Sequence, residues 1–214
     1  MSIRTRGMVA AAALVLAVSI GGATATPPSD PIQSALNNAF ATTVKAKGGK
    51  NADYIPALAR VDSRIFGIVV VTVDGKIYTV GDIKSEVSIQ SISKVFTMAK
   101  VIEEQGPKAI EDNMGVDATG QVFNSIVAIE QYKGGEMNAM VNPGAITATS
   151  MVSGKTRDEI WNKILSFQSD FAGRPLKVIQ EVYQSEAATN QRNQAIGRLM
   201  YAYGHIKEIG RAHV

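Results

Sequence analysis

Cysteine is absent from the 214-residue sequence. That excludes disulfides, thiolate nucleophiles and cysteine metal sites together. Histidine is nearly absent: His205 and His213 both stand at the extreme C-terminus, with no second ligand at helical spacing, so a structural metal site has no support. The positive charges are not gathered into a face or a tail, and a formal charge of +3 from 22 basic and 19 acidic residues gives nucleic acid no footprint. No hydrophobic run reaches the roughly 20 residues a membrane-spanning helix needs. What is present is the 45% hydrophobic, 19% charged balance of an ordinary globular chain able to bury one core.

The N-terminus carries information about location. Arg4 and Arg6 precede any acid, an apolar stretch runs from Met8 to Ile20, and Ala23-Thr24-Ala25 satisfies the small-x-small rule for signal peptidase ahead of Thr26-Pro27-Pro28. A membrane anchor is the alternative, but 13 residues are too few. The expectation is a signal peptide over 1–25, export to the periplasm or the medium, and no stable membrane anchor. Removing 1–25 takes away two arginines and no acid, which lowers the net charge to +1.

Ile32, Ala35, Leu36, Ala39 and Phe40 predict a helix over Pro31 to Ala46. Residues 47–58 read as a loop. A β-branched run from Phe66 to Val73, the turn signal Asp74-Gly75 and a return from Lys76 to Val80 predict an antiparallel hairpin. Ser88 to Gln105 turns to helical spacing, with Val95, Met98, Ala99 and Ile102 on one side and Gly106-Pro107 as the stop. Thr156-x-x-Glu159 reads as a capping box opening a helix that faces inward through Ile160, Ile164 and Phe167. Further helices are expected over Pro175 to Gln184 and over Arg192 to Tyr203, closed by Gly204. Trp161, Met98 and Phe167 are expected in the core. Helices outnumber strands, and no internal repeat or low-complexity linker appears.

The chemistry concentrates in Ser91-Ile92-Ser93-Lys94. Residues three apart on a helix share a face, so the lysine amine reaches the serine hydroxyl. A desolvated lysine sheds its proton near neutral pH and can activate the serine, while a helix N-terminus adds a positive field and free amide donors. Ser and Lys are common residues, and a solvated helix start explains the pair equally well in isolation. The hairpin before it and the apolar helix behind it give the motif its context.

Beyond this pair, several segments resemble the serine-dependent glutaminases: Tyr54-Ile55-Pro56-Ala57-Leu58-Ala59, Thr72-Val73-Asp74-Gly75, Gly81-Asp82, Ser88-Ile89-Gln90-Ser91-Ile92-Ser93-Lys94, Val141-Asn142-Pro143-Gly144-Ala145-Ile146, and Glu186 with Arg192-Asn193. They occur in the family's order, with 37 residues from Tyr54 to Ser91, 51 to Asn142, 44 to Glu186 and 7 to Asn193. The resemblance covers about residues 30 to 207. It implies an α+β, β-lactamase/transpeptidase-like fold, an antiparallel sheet flanked by helices, in a domain over 26–207. Ser91 would attack the side-chain amide of L-glutamine and water would release L-glutamate from the acyl-enzyme. Lys94 is then the base partner of Ser91, Tyr54 a further catalytic residue, and Asn142, Glu186 and Asn193 pocket residues, with Glu186 suited to an α-ammonium group. No cofactor is implied, because the chemistry uses side chains and water. The family's tendency to associate implies a homo-oligomer for the full-length protein. Each pocket residue also has a plain structural reading: Glu186 a solvated helix start, Asn142 a turn former, Asn193 a helix-surface residue, Tyr54 a core aromatic. Gly144 suits a pocket wall made of backbone.

Two departures from the family pattern stand out. Pro143 replaces the family's usual alanine and removes a backbone donor from a pocket loop. The chain also stops before the family's next pocket tyrosine, and lacks a later tyrosine and the Ser-Gly strand region. The expectation is a fragment without its C-terminal strands, inactive as written, prone to aggregate, and exposing the hairpin's edges and apolar face. Glu208-Ile209-Gly210-Arg211-Ala212-His213-Val214 is what GAG-ATC-GGA-AGA-GCA-CAC-GTC encodes, a string matching a common sequencing adapter. Residues 208–214 are thus expected to be a non-native tail.

Two rivals remain. A penicillin-binding peptidase or β-lactamase shares Ser-x-x-Lys, but its Ser-x-Asn and Lys-Thr-Gly are both missing here. An exported binding remnant would keep the pocket without turnover. Resequencing the genomic DNA across Lys207 is expected to show the frame continuing in other codons; the same seven codons followed by a stop would overturn the adapter reading.

Overall fold

The computed structural model describes residues 30–132 and 138–206. The expected signal segment, the tail and His213 lie outside these residues, as does the Met8–Ile20 apolar run. Among the described residues no helix is long and apolar enough to cross a membrane.

The chain opens with α1 (Pro31–Thr43), followed by α2 (Pro56–Ala59) and the strands β1 (Gly67–Val71) and β2 (Ile77–Gly81). A 3-10 turn over Gln90–Ile92 leads into α3 (Ser93–Gln105), and α4 (Lys108–Asn113), α5 (Ile126–Gln131) and α6 (Asn142–Met151) follow. The last three helices are α7 (Arg157–Ala172), α8 (Gln180–Thr189) and α9 (Gln191–Ala202).

Proline at the first position of α1 sits where its missing N–H is not needed, and the Asp30 carboxylate accepts from the Ile32 N–H at 2.9 Å. The helix stops at Thr43, three residues short of the expected end. The hairpin has the register Gly67↔Gly81 to Val71↔Ile77. Its turn is one residue longer than a two-residue Asp-Gly loop. The Gly75 N–H donates to Thr72 O at 2.8 Å and the Thr72 N–H to Lys76 O at 3.0 Å, with Gly75 at φ +83° supplying the left-handed position of a three-residue loop.

Tyr78 is buried on the hairpin face that carries α1, and its hydroxyl donates to Asp30 at 3.0 Å while Lys76 reaches the same carboxylate at 2.6 Å. Phe40 of α1 stacks on Phe66 at 5.3 Å. Val69, Val71 and Ile77 occupy the opposite face and are exposed. Only two strands pair among the described residues, so each is an edge.

The helical part has two apolar clusters. Val101, Ile110, Met114, Ala139, Ala148, Val152 and Ile160 join α3, α4, α6 and α7. Ile129, Ile146, Ile196, Met200 and Ile206 join α5, α6 and α9. α6 feeds both, and its residues 143–148 are all buried. A helix apolar all round belongs inside.

The stripe that α3 buries is Lys94, Thr97 and Val101. The expected apolar side lies beside it: Met98 and Ile102 pack against the first cluster from partly buried positions, and Val95 is exposed. Thr156 caps α7 by accepting from the Glu159 N–H at 3.2 Å, and Glu159 returns a carboxylate to the Lys155 N–H at 2.8 Å. Gly173 closes that helix in the left-handed conformation. The next helix begins at Gln180 rather than Pro175, because the Leu176 N–H turns back to the Ser169 hydroxyl at 3.0 Å. Trp161 stands 38% exposed against Tyr183 instead of entering the core, while Phe167 packs half-buried on Phe171.

Asp30 joins a helix start to a strand, and its partners Lys76 and Tyr78 hold its carboxyl down at about 2 against an ordinary 3.8. A depressed carboxyl stabilises the fold above its unfolded pKa and loses that contribution as pH falls through the folded one. Asp30→Asn is therefore expected to lower the thermal midpoint at neutral pH, with the gap to the parent closing between about pH 4 and pH 2. Melts by circular dichroism across that range test it, and a gap independent of pH would refute it.

Candidate functional site

Ser91 sits in the 3-10 turn that precedes α3, and Lys94 is in the first turn of α3. The expected continuous helix is thus broken here, and regular helix begins at Ser93. Ser91 is exposed, and no hydrogen bond among the described residues engages its hydroxyl. Gln90, immediately before it, is at φ +46°, the one described non-glycine residue with a positive φ. Such backbone persists only when its surroundings enforce it. The Gln90 amide donates to the Ser88 hydroxyl at 2.7 Å, and its side chain lies near enough to the Glu186 carboxylate to favour the ionised form.

Lys94 is 6% exposed. Burial holds its pKa below the ordinary lysine value. Its Nζ donates to Asn142 Oδ1 at 2.7 Å and lies 5.8 Å from the centre of the Phe123 ring. Asn142 in turn donates from Nδ2 to Asn193 Oδ1 at 2.8 Å. Three of the residues named from the sequence, 94, 142 and 193, thus form one hydrogen-bonded chain across α3, α6 and α9.

Asn142 opens α6 instead of standing in a loop. Its backbone N–H donates to Phe123 O at 2.7 Å. Pro143, at the second position of the helix, lacks an N–H where the helix has no internal acceptor for one, so the departure from the family pattern costs this start no hydrogen bond. Gly144 allows the next segment to approach, since a Cβ there would lie 2.1 Å from Asn138 O.

Glu186 is half-buried within α8, not at a solvated helix start. Burial raises its pKa above the ordinary carboxylate value, and the nearby Gln90 side chain works the other way. Tyr54 is 66% exposed, so it is not a core aromatic. No hydrogen bond among the described residues ties it to Lys94, Asn142 or Asn193. It stands just before α2, which packs against α8 through the Ala57 N–H donating to the Ser185 hydroxyl at 3.1 Å. Arg60 and Glu181 pair at 2.5 Å across the same contact.

The reading from sequence alone did not single out Gln90 or Phe123. The first is betrayed by its backbone angle, which no residue type announces. The second lies in a segment with no chemical motif. Among the described residues no group of three or more His, Asp or Glu side chains is placed to hold a metal ion.

A family model described as glutaminase matches residues 49–213. The chain belongs to the glutaminase family. A glutaminase of Colwellia psychrerythraea (strain 34H / ATCC BAA-681) is 49% identical over 177 residues, which are 83% of this chain and 57% of that protein. The chain therefore spans little more than half the length of the curated glutaminases it matches. Among solved structures, a probable glutaminase, ybaS, superposes with a TM-score of 0.82 at 38% identity, covering 85% of this chain and 59% of that one. Mglu in its glutamate form gives a TM-score of 0.75 at 29% identity, covering 86% of this chain and 42% of that one. The α+β architecture is thus the β-lactamase-like fold of glutaminases, as the resemblance implied.

Gly144→Ala is expected to destabilise the protein by about 1–3 kcal/mol, the ordinary cost of forcing added volume into close packing. Denaturant melts measure it, and an unchanged midpoint would show that the approach of Asn138 is not required.

Proposed function

We propose that the complete protein is a glutaminase that hydrolyses L-glutamine to L-glutamate and ammonia through an acyl-enzyme on Ser91. The observation that carries this reading is the buried Lys94 amine, three residues from an unengaged serine hydroxyl and held by the Asn142 amide. Burial favours the neutral amine, which is the form able to take the Ser91 proton. The Ser91 oxygen adds to the side-chain carbonyl carbon of glutamine, and the amide nitrogen leaves as ammonia after receiving a proton. Water then adds to the ester, again with Lys94 accepting a proton, and the carbon–Oγ bond breaks to release glutamate. In this reading the Glu186 carboxylate pairs with the substrate's α-ammonium, and Asn142 and Asn193 bind its remaining polar atoms. Tyr54 supplies a hydroxyl from the α2 side. A relative, Mglu, has been solved in a glutamate form, which supports an amino-acid ligand.

The protein is further proposed to be exported, on the layout of residues 1–25, and to act without a cofactor or a nucleic-acid partner. Association into a homo-oligomer rests on the family resemblance alone.

Glutamate release from L-glutamine by the protein expressed from its genomic reading frame, beside Ser91→Ala, is the decisive assay. That substitution is expected to reduce kcat by at least about 10³-fold, the scale of losing a covalent nucleophile. Undiminished turnover would place the nucleophile elsewhere, and an inactive parent would favour a binding remnant. Penicillin labelling of Ser91 without glutamine turnover would favour the β-lactamase-like alternative.

The pH dependence has a defined sign. Glu186 must be ionised to hold an ammonium and Lys94 neutral to act as base, so kcat/KM should rise with pH. Its carboxylate limb should lie above the ordinary Glu value of 4.5, and its lysine limb below the ordinary 10.5. Glu186→Gln should abolish the lower limb, as a pH–rate profile would show.

A further inference from the structure

Lys94, Asn142 and Asn193 form a chain with a direction. An asparagine side chain offers an acceptor at one end and two donors at the other, in nearly the same volume. Asn142 uses both ends inside the protein: Oδ1 accepts from Lys94 Nζ at 2.7 Å, and Nδ2 donates to Asn193 Oδ1 at 2.8 Å. Turned by 180°, the Asn142 amide would set its NH2 group against a lysine amine that also donates. We propose, resting on the Ser91 reading above, that Asn193 is a positioning residue for Lys94: by accepting from Asn142 it fixes which end of that amide faces the lysine.

The consequence reaches the serine. With Oδ1 facing it, the neutral amine gives one N–H to Asn142, and its lone pair is turned away from that bond and free for the Ser91 proton. With NH2 facing it, the lone pair is spent on Asn142 and cannot serve as a base. The rest of the geometry holds without Asn193, because the Asn142 backbone is anchored by its N–H to Phe123 O and α6 is packed on α9 through Ile146, Ile196 and Met200. Removing the Asn193 acceptor therefore frees the amide without unseating the helix. A residue acting on the lysine in this way changes the chemical step, whereas a residue that only holds glutamine changes its binding.

The test uses the protein from its genomic reading frame, after wild-type turnover and its loss in Ser91→Ala have been established. Failure of that first step overturns the Ser91 reading and this inference with it. Given its success, Asn193→Ala is expected to lower kcat by at least about tenfold, a part of the roughly 10²–10⁴-fold that a placed general base contributes, in addition to any rise in KM from its lost contact with glutamine. In an Asn142→Ala background the same substitution should lower kcat by less than about twofold, because the amide it orients is gone. A raised KM with kcat intact, or a full and independent loss on top of Asn142→Ala, would overturn the proposal. Should Asn193→Ala fail to fold by circular dichroism, Asn193→Leu keeps the volume without the acceptor and carries the same expectation.

Discussion

The burial of one lysine organises the site. α3 turns Lys94 inward with Thr97 and Val101, so an ammonium or amine is removed from water at a position where an apolar residue would pack at no electrostatic cost. A buried amine needs an acceptor, and the acceptor is Asn142 at the start of α6. That requirement fixes where α6 begins relative to α3. α6 lies between both apolar clusters, so the position of one side chain is tied to the packing of the whole helical part.

The segment that carries Ser91 is not a plain helix start. The chain instead makes a 3-10 turn over Gln90–Ile92 before the regular helix and leaves Ser91 exposed. Gln90 takes a left-handed backbone there, and its side chain is held by Ser88.

Much of this was legible in the sequence. The hairpin was, because a β-branched run and Asp-Gly follow from strand and turn chemistry alone, although whether the loop holds two or three residues depends on Gly75 and its neighbours. The capping box at Thr156 was too. α6 was not, since Asn-Pro-Gly reads as a turn, and small apolar residues with no polar face give no helical period. The buried side of α3 was misplaced by one residue because a lysine stands on it, which periodicity counts as solvent. Trp161, expected in the core, stands instead beside Tyr183 at the surface. Within the site, Ser91 and Lys94 were visible as a local pair. Asn142, Glu186 and Asn193 could be joined to them only through resemblance, because contacts between residues about 50 apart leave no local mark.

Pro143 shows how a residue can act before the fold exists. In the folded chain it removes a donor that has no partner, which changes little. In the unfolded chain its ring narrows the backbone conformations open to the segment around Asn142, and such narrowing at a compatible site is worth about 0.4–1 kcal/mol. A substitution that looks like a loss from a pocket loop thus restricts the disordered ensemble at the place where the lysine's partner must be set.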